Sequence, residues 1–200
     1  MKNALGTPAV VFALLGFFLG VFMATLMGPL EFPTLSSNGP IAANSTSIQS
    51  VFSPGSQPAI MREIDSANHS LDIMLYQFSL ADYQAALGRA VQRGVSVRII
   101  FEPRVNSNFK TADYLRSHGV SVRWASLEYT NTHSKTMVAD GRRVLVGSIN
   151  WSRNAAKTNR ESAVIIDDAR VAGEFEGVFE SDWAKATQGN PSATPTPSAK

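Results

Sequence analysis

The sequence predicts an α/β fold: a layered domain in which helices flank a mixed β-sheet, preceded by an N-terminal transmembrane helix. Two observations predict the domain. Segments with strand-like alternation and segments with a helical apolar period follow one another, and Asp140-Gly141 separates two apolar-rich runs. A third observation predicts the membrane helix. Residues 8–27 are uncharged and almost entirely apolar, and about 20 such residues span the ~30 Å core of a bilayer.

The predicted elements alternate through the middle of the chain. Helices are predicted at residues 57–67, 81–93 and 111–118, and a last helix is predicted to begin near Asp167 and Asp168, with Ser79 as a candidate cap of the second helix. Strands are predicted at residues 48–52, 71–78, 95–101, 120–124 and 162–166, in addition to the two strands that flank Asp140-Gly141.

Composition divides the chain into four segments. They are an anchor or signal segment at residues 1–28, a linker at 29–47, a folded domain at 48–187 and a disordered low-complexity tail at 188–200. The chain has 200 residues, 44% of them apolar, which suits about one domain. The lack of cysteine excludes disulfides and thiolate metal sites, and the three histidines show no metal-ligand spacing. A site without metal or cofactor is therefore predicted.

The N-terminal segment predicts a membrane-anchored protein with a single span at residues 8–27. No strict Ala-x-Ala cleavage signal follows this span, so an anchor is favoured, and a secreted or periplasmic protein after signal cleavage is the alternative. Lys2 and the α-amine are the only positive charges before the span. By the positive-inside rule, the C-terminal domain would then lie outside the cytoplasm.

The Asp140-Gly141 dipeptide is a strong hairpin signal, because a two-residue connection needs positive φ at both central residues. Such a turn predicts which residues of the two strands face each other. The predicted pairs are Ala139 with Arg142, Lys135 with Val146, and His133 with Ser148.

In this register, four polar side chains project from one face of the hairpin: His133, Lys135, Ser148 and Asn150. The ammonium, hydroxyl and carboxamide groups are donors that suit a tetrahedral anion such as phosphate. The imidazole can act as a nucleophile toward phosphorus or as a general acid or base. The four together predict a site for phosphoryl chemistry.

The spacing of these residues resembles the HxKxxxxD/GSxN signature of the phospholipase D superfamily. The pattern runs without gaps through His133, Lys135, Asp140, Gly147-Ser148 and Asn150. The resemblance covers roughly residues 50–186. Within the superfamily, the chain resembles the small single-motif endonucleases. It implies a phospholipase D-like catalytic domain at residues 48–187.

The resemblance implies a mechanism and a role for each motif residue. His133 would attack phosphorus and form a phosphohistidine that water then resolves, while Lys135, Ser148 and Asn150 hold the phosphoryl oxygens. Glu161 would orient His133 through its other ring nitrogen. The motif residues Asp140, Gly141 and Gly147 are given structural roles, Asp140 because it falls at the turn.

Charge suggests the substrate. From Arg98 to Arg160 the sequence has eleven Lys and Arg against four acids, although the whole chain carries only +2. A basic zone of this kind suits a polyanion such as nucleic acid, bound without sequence preference, with Arg104, Lys110 and Arg153 as candidate contacts.

The single motif predicts a homodimer. In-line displacement at phosphorus needs one group to attack and another to protonate the leaving oxygen, but the chain has one catalytic-type histidine. The superfamily's solution for a single motif is a twofold dimer with a shared active site, in which each subunit contributes His133.

Three functions fit the sequence. The favoured one is a metal-independent endonuclease that cleaves DNA or RNA. The first alternative is a phospholipase that acts on membrane lipid of the phosphatidylcholine or cardiolipin type, with an apolar channel that leads to His133 past Phe109 or Tyr129. The second alternative is a non-catalytic binding protein of the envelope.

Overall fold

A computed structural model of the protein describes residues 46–191. The predicted membrane segment at 8–27, almost all of the linker and the tail beyond residue 191 lie outside the described residues. No helix within 46–191 combines the length and apolar character needed to cross a membrane.

A seven-stranded mixed sheet forms the centre of the domain. Its strands are β1 (Ser47–Ser53), β2 (Ser70–Leu75), β3 (Ser96–Phe101), β4 (Ser121–Trp124), β5 (Lys135–Ala139), β6 (Arg143–Gly147) and β7 (Glu161–Asp167). They lie side by side in the order β1-β7-β6-β5-β2-β3-β4. Strands β2, β3 and β4 are parallel to one another. The other pairs are antiparallel: β5 with β2, β6 with β5, β7 with β6, and β1 with β7.

Helices cover both faces of this sheet. They are α1 (Gln57–Ser66), α2 (Ala81–Gln92), α3 (Asn106–Ser117), α4 (Arg153–Lys157) and α5 (Ala169–Lys185). Helices α1 to α4 contribute to the main core, in which Ile60, Leu87 and Leu115 pack with sheet residues such as Ile73 and Ile99. Helix α5 crosses the other face over β2, β5 and β6. The predicted layered α/β architecture is thus confirmed for the described domain.

The elements differ from the prediction at the end of β2, at the start of α3, in the short helix α4 and in the cap of α2. Strand β2 ends at Leu75 rather than at residue 78, and the amide of Tyr76 makes one more hydrogen bond in the β2–β5 register, to Ser134 O at 2.8 Å. Helix α3 begins at Asn106, five residues before the predicted start. The short helix α4 was not predicted, and Ser79 is not a cap, since Leu80 holds that position in α2.

The hairpin forms at Asp140-Gly141, but the predicted register is wrong by one residue. Both residues have positive φ, 55° and 61°, and Arg142 N donates to Ala139 O as expected for a tight turn. However, Ala139 pairs with Arg143 in the ladder. Arg142 is the extra residue, because its guanidinium pairs with Asp167 at 2.6 Å and its carbonyl accepts from Asp168 N. These contacts hold Arg142 at the start of α5 and out of the ladder.

Candidate active site

The candidate site lies at the edge of the sheet where the parallel strands β2 and β3 have their carboxyl ends. Strand β5 begins at this edge with Lys135, β6 ends there with Gly147, and β7 begins there with Glu161. The carboxyl edge of parallel strands is a common location for ligand sites in α/β proteins. The topology therefore gathers the motif residues at one edge, although the strands that carry them run in opposite directions.

His133 and Lys135 are in direct contact. Lys135 Nζ lies 3.0 Å from His133 Nδ1 and 3.4 Å from Nε2, and it donates to His133 O at 2.7 Å. The aromatic ring of Tyr76 packs beside both residues, 4.3 Å from the imidazole centroid and 5.0 Å from the ammonium. His133 is exposed, so its ring is accessible to a substrate.

Lys135 is buried, with 7% of its surface exposed. Burial lowers the pKa of Lys135, and the charge of Glu161 opposes that shift in part. Partial desolvation makes the positive charge of Lys135 more effective toward a phosphate than it would be in bulk water.

Glu161 links the Ser148 and Asn159 side chains. Its Oε2 atom accepts a hydrogen bond from Ser148 Oγ at 2.6 Å, and its Oε1 atom accepts one from Asn159 Nδ2 at 3.0 Å. From the sequence, Glu161 is expected to orient His133. Among the described residues, its two oxygens instead bind Ser148 and Asn159, and it acts on Lys135 through its charge.

Gly147 is required by a close approach of two strands. A Cβ atom at this position would lie 2.3 Å from Ser162 O and 2.5 Å from Ala163 Cα in the neighbouring strand β7. No side chain fits at that distance from backbone atoms. Gly147 thus lets β6 and β7 meet where Ser148 reaches Glu161.

Asn150 lines a cleft of about 280 Å³ beside this cluster. All seven residues that line the cleft are polar, namely Gln77, Ser79, Asn150, Ser152, Arg153, Asn154 and Asn159. The Asn150 Oδ1 atom is buried and has no hydrogen-bond partner among residues 46–191. A side-chain amide left in this state inside a polar cleft is available to bind a ligand.

Asp140 and Gly141 lie at the far end of the hairpin from His133. The Asp140 carboxylate accepts backbone hydrogen bonds from Asn68, His69 and Ser70 at 2.7–3.1 Å, and so it ties the turn to the start of β2. Burial alone would raise the pKa of Asp140, but the three amides and the charge of Arg143 outweigh it, and the pKa is lowered. These contacts fit the structural role predicted for Asp140.

The three predicted substrate contacts have different surroundings. Arg153 lines the polar cleft, and Lys110 is exposed on α3; neither forms an ion pair with any described residue. Arg104 binds protein groups instead, donating to Glu102 Oε1 at 2.8 Å and to Tyr129 O at 3.1 Å.

Sequence reasoning missed four residues at this edge. Tyr76 and Gln77 directly follow β2, Glu102 directly follows β3, and Asn159 lies two residues before Glu161. For Tyr76, Gln77 and Glu102 the available signal was a position after the apolar run of a parallel strand, but for the first two the prediction extended β2 through residue 78. Within the described range, no cluster of three or more His, Asp or Glu side chains has the arrangement of a metal site.

Comparison with known families identifies the class of protein that this fold and motif define. Residues 60–183 match the family model described as "Cardiolipin synthase, PLD-like domain". The chain therefore belongs to the phospholipase D-like family, as its motif predicted.

Mitochondrial cardiolipin hydrolases of two species are similar to this chain. Over 129 residues it is 33% identical to the mitochondrial cardiolipin hydrolase of Homo sapiens, covering 62% of this chain and 49% of the human protein. It is 27% identical over 132 residues to the mitochondrial cardiolipin hydrolase of Danio rerio, and the match covers 66% of this chain and 58% of that protein. The chain thus spans only about half to three fifths of these relatives.

Among solved structures, the chain is similar to Nuc from Salmonella typhimurium, a phospholipase D family member. The two share 28% identity with a TM-score of 0.69, over 72% of this chain and 99% of Nuc. NucT from Helicobacter pylori has the same fold, with 23% identity, a TM-score of 0.67 and the same coverage of both chains.

Proposed function

We propose that the protein is a phosphodiester hydrolase that works through a phosphohistidine intermediate. A ring nitrogen of His133 would attack phosphorus, forming a P–N bond as the P–O bond to the leaving oxygen breaks and that oxygen takes up a proton. Water would then attack phosphorus and release His133. Lys135, Ser148 and Asn150 would stabilise the charge that develops on the phosphoryl oxygens.

Nucleic acid is the proposed substrate, and the polar cleft beside Asn150 carries this choice. Its lining consists of amides, hydroxyls and one guanidinium, which suit a sugar-phosphate chain and offer nothing to an acyl chain. Arg153, Lys157 and Arg160 are exposed near this cleft and form no ion pair with residues 46–191. Free cations of this kind favour binding of a polyanion without sequence preference.

Hydrolysis of a cardiolipin-type lipid is the second candidate, because the curated relatives are named mitochondrial cardiolipin hydrolases. The apolar channel considered from the sequence receives little support. Phe109 packs on Trp124 at 4.5 Å and is partly buried against the core, and the exposed Tyr129 lies beside Lys185. A polar entrance disfavours a lipid that must leave its bilayer.

Membrane placement and dimerisation belong to the same proposal. A span at residues 8–27 would hold the domain near a membrane on its extracytoplasmic side. A homodimer would bring two His133 side chains to one phosphodiester, so that one attacks while the other protonates the leaving oxygen.

The test uses the full-length protein with a chelator present throughout. Labelled single- and double-stranded nucleic acids and vesicles that contain cardiolipin or phosphatidylcholine are offered separately, and product release is followed. We expect cleavage of nucleic acid by the wild type and loss of that cleavage in His133→Ala. The matched control is His69→Ala, which removes an exposed histidine at the other end of the sheet and should leave the activity unchanged.

The other outcomes assign the function differently. Release of phosphatidic acid with nucleic acid left intact would transfer the assignment to lipid hydrolysis by the same residues. Activity that disappears with the chelator would contradict the metal-independent mechanism. Equal loss in the His69 and His133 variants would contradict the role of His133 as the nucleophile.

A further inference from the structure

His133 lies in a long irregular segment, and that position raises the question of what holds it. Residues 125–134 connect β4 to β5 without forming a helix or a strand. A nucleophile that attacks in line must be held close to the productive geometry, and a displacement of about 1 Å costs about 10²-fold in rate. The segment therefore needs anchors near His133.

Glu102 provides an anchor on the N-terminal side of His133. Its side chain is fully buried at the end of β3, and its Oε2 atom accepts a hydrogen bond of 2.6 Å from Thr132 N, the amide that directly precedes His133. The other oxygen, Oε1, accepts from Arg104 Nη1 at 2.8 Å and from Arg104 N at 3.0 Å. A carboxylate without solvent requires such partners.

Arg104 provides a second anchor on the same segment. While Nη1 binds Glu102, Nη2 donates to the carbonyl of Tyr129 at 3.1 Å. The ion pair therefore holds residues 125–134 at two backbone points, Tyr129 O and Thr132 N. One of these points is adjacent to the proposed nucleophile.

From these contacts we infer that Glu102 and Arg104 form a clamp that positions His133, and that Arg104 is a positioning residue and not a substrate contact. The inference rests on the proposed reaction. The sequence predicts Arg104, Lys110 and Arg153 alike as substrate contacts. Arg104 differs from the other two because Lys110 and Arg153 form no ion pair with described residues.

The test compares Arg104→Gln and Glu102→Gln with Asp72→Asn in the full-length protein. Asp72 is a matched control, because it too is a buried carboxylate paired with an arginine, Arg98, at 2.7 Å, but its side chain forms no hydrogen bond with residues 125–134. Each variant is assayed with nucleic acid and with bis(p-nitrophenyl) phosphate, a diester too small to reach a distant arginine. Hydrogen exchange of the Thr132 amide is measured in parallel.

A clamp predicts that both Arg104→Gln and Glu102→Gln lower kcat by about 10²-fold on both substrates with little change in KM. It also predicts exchange of the Thr132 amide about tenfold faster in Glu102→Gln, since a hydrogen bond to a charged group is lost. Asp72→Asn should lower thermal stability while kcat and Thr132 exchange stay near the wild-type values.

Three results would overturn the clamp. The first is a rise in KM for nucleic acid alone in Arg104→Gln, which would make Arg104 a substrate contact. The second is an equal loss of kcat in Asp72→Asn, which would reduce the effect to general destabilisation. The third is unchanged exchange of Thr132 in Glu102→Gln. If the wild type cleaves neither substrate, the proposed function fails, and the exchange measurement still decides whether the clamp exists.

Discussion

Lys135 shows how a single residue can serve both the fold and the chemistry. Its stem is buried at the start of β5, and its ammonium lies between the imidazole of His133 and the ring of Tyr76. A buried ammonium is costly, and here the nearby charge of Glu161 repays only part of the cost. A bound phosphate would supply the missing negative charge, so the residue is arranged for a ligand more than for stability.

The lowered pKa of Lys135 leads to a prediction about pH. Lys135 must be protonated to stabilise a phosphoryl group, so kcat/KM should fall as pH rises through a value below that of an ordinary lysine. In Lys135→Arg the charge persists at every accessible pH, so whatever activity remains should lack this alkaline limb. The measurement is kcat/KM against pH for both proteins, which reports on groups of the free enzyme.

Two observations would count against this role for Lys135. One is an alkaline limb at the same pH in Lys135→Arg, and the other is a wild-type profile that stays flat beyond pH 10. Lys135→Met, which removes the charge, is the control and should lose about 10²- to 10³-fold in kcat.

For single residues, the sequence predicted which side chains form the site better than it predicted what those side chains contact. The spacing selected His133, Lys135, Ser148 and Asn150, and the structure places all four at one edge of the sheet. The spacing did not reveal Tyr76 or Glu102, because they contact His133 and Thr132 from strands far away in sequence. Nor did it show that Ser148 and Asn159 occupy both oxygens of Glu161.

The β5–β6 hairpin is the element on which the motif depends. Its turn was predicted from Asp140-Gly141, and the left-handed conformations of both residues confirm the reasoning. Its register was wrong because Arg142 binds Asp167 and Asp168 N, contacts with the start of α5 that no local pattern encodes. Tertiary contacts thus added one residue to the connection.

Asp140 holds this hairpin to β2, which leads to a prediction about stability. Asp140→Asn keeps the size of the side chain but removes the negative charge of the carboxylate, whose oxygens accept hydrogen bonds from three amides. We therefore expect a loss of about 1–2 kcal/mol in the free energy of unfolding at neutral pH. The pKa of Asp140 is lowered in the folded state, so its contribution is present above the unfolded carboxyl pKa of about 4 and disappears as pH falls through the lower folded value.

The check is denaturant unfolding of the wild type and Asp140→Asn at several pH values. The difference between the two proteins should be largest near neutrality and should shrink below about pH 4. Activity per folded molecule should stay close to that of the wild type, because Asp140 lies at the end of the hairpin away from His133. A large loss of kcat at full stability would instead give Asp140 a part in catalysis.

Over the whole domain, alternation of strands and helices predicted the layers but not the order of the strands. Contacts of residues 188–190 also continue past the predicted domain end, since Arg116 donates to Gln188 O and to Asn190 Oδ1. Strand order decides the site, because it sets β5 between the parallel strand β2 and β6. The strand order and the contacts of residues 188–190 both depend on segments that are distant in sequence, and a periodic pattern carries no information about such contacts.

A surface next to the site bears on the proposed dimer. Strand β1 is at the edge of the sheet, and its Ile48 and Phe52 side chains are 66% and 58% exposed. Phe52 pairs with Ser162, the neighbour of Glu161, so this end of β1 lies beside the strand that carries Glu161. If the proposed dimer forms, we expect a second copy of the chain to cover this edge, because a twofold axis there would bring two sites together.

The shared site can be tested by mixing subunits. When wild-type and His133→Ala chains are co-expressed in equal amounts, about one quarter of the dimers contain two intact histidines, so activity per wild-type chain should fall to about one half. Independent active sites would leave the activity per wild-type chain unchanged. Phe52→Ser should weaken the dimer, and its specific activity should then rise with protein concentration, since association becomes limiting. A Phe52→Ser protein that sediments as a monomer and keeps full activity would show that one His133 suffices, and the proton for the leaving oxygen would then have to come from another group.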